Sequence, residues 1–238
     1  MNRHVVITAI ERPAPAVVAA LAQAGVATAH EAAGRSGLVS HQIRPLQQDI
    51  TIAGPAVTVA AHPGDNLMVH AAVEVCQPGD VLVVTTHSPS TDGMVGELLA
   101  TSLMVRGVRG LVVDAGVRDT AQLRAMGFPV WAKAISAQGT VKASPGSVNV
   151  PVVCGGQLVN PGDVVIADDD GVVCVPRASA AEVLARCQAR LADEELKRQK
   201  LSDGVLGVDM YGLRDLLDRL GVRYLPGPPG DPAPPAGP

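Results

Sequence analysis

The chain has 238 residues, a formal net charge of -4 and 47% hydrophobic residues, enough for one large domain with a sizeable core. Aromatics are only 2%, which removes the stacking platforms that single-stranded nucleic acid needs, and the acidic balance gives no basic footprint for a phosphate backbone. No apolar run approaches the ~20 residues that cross a bilayer, and the apolar segment in MNRHVVITAIERP is too short for a secretory signal.

In chain order, Val5 to Ile10 reads as a strand, followed by a helix from Ala14 to Ala24 with prolines in its first turn and Gly25 at its end. A short helix over Thr28–Ala32 stops at Gly34, and residues 35–49 are polar and irregular. Ile50 to Ala60 alternates as a strand that Gly54-Pro55 is expected to break. A turn at residues 62–66 leads into a helix from Leu67 to Cys76, capped by Asp65 or Asn66. Asp80 to Thr85, Leu111 to Asp114 and Val130 to Ala134 are strands, separated by helices at Glu97–Arg106 and Arg118–Met126. That order predicts an α/β fold with a parallel βαβ core.

Beyond Val148 the texture changes to short strands at Val150–Val153, Gln157–Val159, Asp163–Ala167 and Val172–Val175, a small β unit. Asp168-Asp169-Asp170-Gly171 lacks the spacing of a full calcium loop and reads as a tight hairpin turn. Helices are expected from Ala178 to Leu201, heavily charged late on, and from Tyr211 to Leu220. The tail over residues 226–238 is Pro/Gly-rich and expected to be disordered.

The chemistry concentrates in Gly93 to Asp119, GMVGELLATSLMVRGVRGLVVDAGVRD. Two helix N-termini fall close in sequence there, one carrying Glu97 and the other Arg118 and Asp119. Unpaired amides and a partial positive charge suit a carboxylate ligand. An arginine beside a carboxylate could hold an anionic substrate and a divalent metal together. Against this stands a plainer reading, in which Asp119 caps a helix and Arg118 lies on the surface. Spacing leaves both open.

Cys76, Cys154, Cys174 and Cys187 have no zinc-ligand spacing and read as buried thiols of a reducing cytoplasm. His30 beside Glu31 reads as structural, and no G-x-S-x-G elbow is present.

GDNLMVHAAVE, GELLATSLMVRGVRGLVVDAGVRD, NVPVVCGGQLVNPGDVVIADDDGVVCVP and GVLGVDMYGLR together resemble the 4-hydroxy-4-methyl-2-oxoglutarate / 4-carboxy-4-hydroxy-2-oxoadipate aldolases, relatives of the regulator of ribonuclease activity A proteins. The resemblance spans about residues 5 to 225. It implies a β/β/α swivelling-type domain over residues 1–225, assembled as trimers or hexamers, with helices between residues 178 and 221 at a subunit interface. It also implies Mg²⁺ or Mn²⁺ bound directly by Asp119, with Glu97, and Glu194 of a neighbouring subunit, reaching the metal through water; Glu195 is the other match for that glutamate. Arg118 would contact the pyruvyl oxygens, and the amides of Glu97, Leu98, Leu99 and Ala100, after Gly96, would cradle the carboxylate of a 2-oxo acid. The family often has aspartate where this chain has Glu97. The alternative is a non-catalytic regulator that binds a ribonuclease or helicase.

Overall fold

The computed structural model describes residues 4–225; the predicted disordered tail over residues 226–238 lies outside them. The chain divides into two compact units, with the boundary between Leu191 and Ala192.

In the first unit, α1 (Pro15–Ala32) precedes β1 (Arg44–Pro45), β2 (Ile52–Ala61), α2 (Leu67–Val75), β3 (Val81–Thr86), β4 (Gly93–Val95), α3 (Glu97–Val105), β5 (Gly110–Val117), α4 (Thr120–Ala125) and β6 (Val130–Ile135). The short strands β7 (Ser147–Val148), β8 (Val152–Cys154), β9 (Gln157–Val159), β10 (Val164–Asp168) and β11 (Gly171–Val175) follow, and then α5 (Ala180–Ser202). The main sheet runs β1-β6-β5-β3-β2-β10-β11, with β4 beside β5 and β7 beside β2. Strands β2, β3, β5 and β6 are parallel, as the alternation of strands and helices predicts, whereas β10 joins antiparallel to β2 and β11.

Alternate residues of the parallel strands serve two cores. Val57, Val59, Leu82, Val84, Leu111 and Val113 pack with α2 and α3 on one face. Val81, Val83, Val112 and Trp131 pack with residues of β8 to β11 on the other. Because both faces are covered, the strands read as unbroken apolar runs, and truncating a core leucine such as Leu111 to alanine costs about 2–5 kcal/mol. All four cysteines are free and buried. Burial pushes the Cys76 and Cys174 thiols up to about 12, which leaves them inert.

Several expectations change. Gly54-Pro55 does not interrupt β2, which runs through both residues. Glycine is needed there because a Cβ would lie 2.3 Å from the Gly79 carbonyl oxygen. At this point β2 exchanges partners: Gly54 and Pro55 face β10, and Ala56 onward faces β3. The predicted first strand, Val5 to Ile10, reduces to a single bridge between Val6 and Val148. Gly25 does interrupt α1, at φ 77°. Arg118 lies outside α4, which begins at Thr120. The Asp168–Gly171 turn joins β10 to β11 as a hairpin.

The second unit holds the end of α5, α6 (Gly207–Met210) and α7 (Arg214–Arg219). The helix predicted over Tyr211–Leu220 is instead interrupted at Gly212, whose φ is 62°. No described residue of this unit is buried, and Leu206, Leu220 and Tyr224 are among its exposed apolar side chains.

Candidate functional site

The site grows from the parallel pairing of β4 on β5. Gly116 allows it, because a Cβ there would lie 2.1 Å from the Thr91 carbonyl oxygen. β4 ends at Val95, Gly96 turns the chain in extended conformation, and α3 starts at Glu97. β5 ends at Val117, and the Arg118 N–H donates to the Val95 carbonyl at 3.0 Å, tying the two strand ends together. Both ends are carboxyl ends of parallel strands, where open α/β sheets place their ligands.

Asp119 follows with φ 55° and ψ 39°, a left-handed conformation uncommon for a residue with a side chain. It is the backbone N-cap of α4, yet its carboxylate does not cap that helix. The side chain turns back to α3, where Oδ2 accepts the Glu97 N–H at 3.1 Å. The Arg118 Nε lies 3.7 Å from the same oxygen, with the two side chains 46% and 42% exposed. An ion pair this long and open contributes little. The Glu97 amide and the αL backbone therefore fix Asp119, and Oδ1 has no hydrogen bond among the described residues. The plain reading of Asp119 as the side-chain cap of its own helix does not hold.

Gly96 makes the arrangement feasible. Its φ is ordinary, but a Cβ there would lie 2.3 Å from Asp119 Oδ2 and 3.0 Å from the Arg118 Nε. Of the four amides assigned to a carboxylate cradle, two are already engaged. Glu97 donates to Asp119, and Ala100 donates to the Gly96 carbonyl at 3.1 Å as the first intrahelical bond. Leu98 and Leu99 remain, since N–H groups at these helix positions have no intrahelical acceptor. The Glu97 carboxylate accepts the Thr101 hydroxyl at 3.3 Å.

Glu194 lies on α5 in the second unit and is half-buried; its neighbour Glu195 pairs with Arg198. His30 contacts the Ser36 carbonyl oxygen, at 3.1 Å, as a structural histidine would. Lys133 is ion-paired to Asp114 at 3.0 Å.

Sequence reasoning missed the segment Ser136–Gly139, which packs against Gly93. The Gly93 N–H donates to the Gln138 carbonyl at 2.9 Å, and a Cβ on Gly139 would meet the Arg118 Nη1 at 3.4 Å. One glycine in a polar loop carries no local signal of this contact.

A groove of about 520 Å³ elsewhere is lined by Thr86, His87, Ser147 and Val152, without a carboxylate. Its size does not make it the better site, because it offers His4 and His87 but no carboxylate for a hard cation. No group of three or more His, Cys, Asp or Glu side chains gathers for a metal among the described residues. A single exposed carboxylate with one free oxygen fits a hard cation that keeps most of its waters, as Mg²⁺ does.

A family model described as RraA-like, Aldolase/RraA, matches residues 18–174. A Halalkalibacterium halodurans protein provisionally named 4-hydroxy-4-methyl-2-oxoglutarate aldolase is 33% identical over 169 residues, 71% of this chain and 80% of that protein. A Burkholderia multivorans protein with the same provisional name is 36% identical over 148 residues, covering 61% and 90%. Among solved structures, Streptomyces coelicolor RraAS2, described as an unusual member of the RNase ES inhibitor RraA family, superposes with a TM-score of 0.72 at 33% identity. That match covers 79% of this chain and 100% of RraAS2. The α/β fold and these likenesses agree, and the chain belongs to the RraA-like family.

Proposed function

We propose that this chain is a divalent-metal-dependent pyruvate aldolase that cleaves 4-hydroxy-4-methyl-2-oxoglutarate, 4-carboxy-4-hydroxy-2-oxoadipate, or both, to pyruvate and a second oxo acid. The observation that carries the reading is the Asp119 carboxylate turned onto the Glu97 amide beside Arg118. It leaves one carboxylate oxygen, two helix amides and a guanidinium at one open corner.

Cleavage between C3 and C4 removes the C4 hydroxyl proton and moves the C3–C4 electron pair toward the C2 ketone, which becomes an enolate oxygen. Protonation at C3 then gives pyruvate. The Leu98 and Leu99 amides donate to the C1 carboxylate at the N-terminus of α3. Arg118 donates to the pyruvyl oxygens and favours the charge that develops on C2–O. Glu97 positions the water that takes the C4 hydroxyl proton. Asp119 would hold the cation, Mg²⁺ or Mn²⁺, which when bound supplies Lewis acidity at the enolate oxygen. Oxaloacetate reaches the same enolate by losing CO₂, so its decarboxylation is a side activity.

An imine mechanism requires a lysine whose amine can lose its proton. The chain has only Lys133, Lys142, Lys197 and Lys200, and Lys133 is held as an ion pair. Pyruvate release from both substrates is the direct test. EDTA should abolish it and Mg²⁺ or Mn²⁺ restore it; a borohydride-trapped pyruvate adduct would overturn the metal-dependent reading.

Glu194 of a neighbouring subunit is assigned to the water shell of that cation in a homo-oligomer. Asp119→Asn and Glu194→Gln subunits, each inactive alone, should regain activity when unfolded and reassembled together. A dead mixture containing verified mixed oligomers would remove Glu194 from the site.

The likeness to RraAS2 motivates a second reading, a regulator that binds a ribonuclease. Ribonuclease binding without pyruvate release from either substrate would favour it.

A further inference from the structure

We propose that Gly139 is a specificity-determining residue that leaves room for the C4 substituents of the substrate; this rests on the aldolase reading above. The Arg118 guanidinium has two differently furnished ends. Its Nε edge faces Asp119 Oδ2 and Gly96, the side on which α3 presents its free amides. Its Nη1 faces Gly139, where a Cβ would lie 3.4 Å away and would meet no other part of the chain beyond its own neighbours within 4 Å. A pyruvyl group held at the α3 end therefore directs the remainder of the molecule, from C4 onward, toward Gly139.

The wall that carries Gly139 is fixed. The Ser136 N–H donates to the Val117 carbonyl at 3.0 Å, anchoring the wall to the end of β5. The Gln138 N–H donates to the Ser136 hydroxyl at 3.2 Å. The Gln138 carbonyl accepts the Gly93 N–H at 2.9 Å, and a Cβ on Gly93 would lie 2.6 Å from the Ser136 carbonyl oxygen. A wall pinned at both ends cannot recede when a methyl group is added. The backbone of Gly139 lies outside the left-handed region, and 3.4 Å is ordinary van der Waals contact, so alanine is tolerated by the fold. Its methyl group takes space beside the guanidinium that only a substrate with a bulky C4 needs.

The experiment measures kcat/KM of the wild type, Gly139→Ala and Gln138→Ala with Mg²⁺. The substrates are 4-hydroxy-4-methyl-2-oxoglutarate and the smaller oxaloacetate, and melting temperatures are recorded alongside. Gly139→Ala should lose about tenfold or more on the branched substrate, the scale of a one-carbon misfit in a pocket, and stay within about twofold on oxaloacetate. Gln138→Ala should leave the ratio unchanged, because Gln138 joins the wall through its backbone alone. An equal loss on both substrates, no loss on either, a shifted ratio in Gln138→Ala, or a Gly139→Ala protein that does not fold would each overturn the proposal. A wild type that releases pyruvate from neither substrate would instead overturn the aldolase reading beneath it.

Discussion

Asp65 and Asp119 both close a turn by accepting backbone N–H groups, and they do so to different ends. Asp65 is 2% exposed and accepts from Leu67 at 2.9 Å, Ala143 at 2.9 Å and Ser144 at 2.6 Å. Burial alone would raise its pKa, but these amides outweigh it and hold the carboxyl below the usual carboxylate range. Asp119 accepts one amide, at 3.1 Å, and its side chain is 42% exposed. A carboxylate saturated by backbone donors has no capacity left for a ligand. One anchored through a single oxygen keeps its position and still offers the other. Acid side chains at turns should therefore be judged by how many donors they already hold, rather than by burial alone.

The comparison breaks first at Arg118. If the Asp119 corner is chemical, Arg118→Lys should be nearly as damaging as Arg118→Ala, because an ammonium cannot span two oxygens in a fixed fork. Loss of such an oxyanion contact costs ~3–4 kcal/mol, or ~10²–10³ in rate, and should appear mainly in kcat. A lysine variant within about threefold of wild type in pyruvate release would make Arg118 structural.

Gly96→Ala sharpens the same point without touching a charged group. The new Cβ would need the space 2.3 Å from Asp119 Oδ2, so the carboxylate must swing off the Glu97 amide. A displacement of about 1 Å at a reacting centre costs on the order of 10²-fold in rate. Stability should change little, since the moved side chain is exposed. A variant with wild-type turnover would show that the carboxylate position is immaterial.

Much of this corner was legible in the sequence. The Gly-rich turn before Glu97, the apolar strand ending at Val117 and the adjacent Arg118 and Asp119 are local signals, and the structure brings them together. The direction of the Asp119 side chain was not legible, because it depends on a left-handed backbone conformation that only the packing of β4 on β5 imposes. Gly54-Pro55 misled for a related reason. Gly-Pro reads as a turn in isolation, whereas here the close approach of the Gly79 backbone requires the glycine within a buried strand. The parallel core was readable because its strands are buried on both faces. The last two short helices were harder, since no described residue of that unit is buried and little periodicity is left to read.

The smallest effect on activity is expected at the other member of the pair. Asp65→Asn keeps one acceptor oxygen but turns an amide group toward donors that need acceptors, which costs roughly 1–3 kcal/mol for each buried donor left unpaired. For a chain of this size each kcal/mol lowers the melting temperature by about 2–4 °C, while kcat of the folded protein should stay within about twofold of wild type. The pH dependence follows from the lowered pKa of Asp65. Its contribution is complete above the ordinary aspartate value of about 3.9 and is lost as pH falls below that value through the folded-state pKa. Wild-type stability should therefore decline more steeply than that of Asp65→Asn below about pH 4, so that the gap between them narrows on acidification. Melting curves from neutral pH to pH 3 decide it: a constant gap would mean that the carboxylate charge contributes nothing, and a parallel loss of kcat would place Asp65 with Asp119 rather than opposite it.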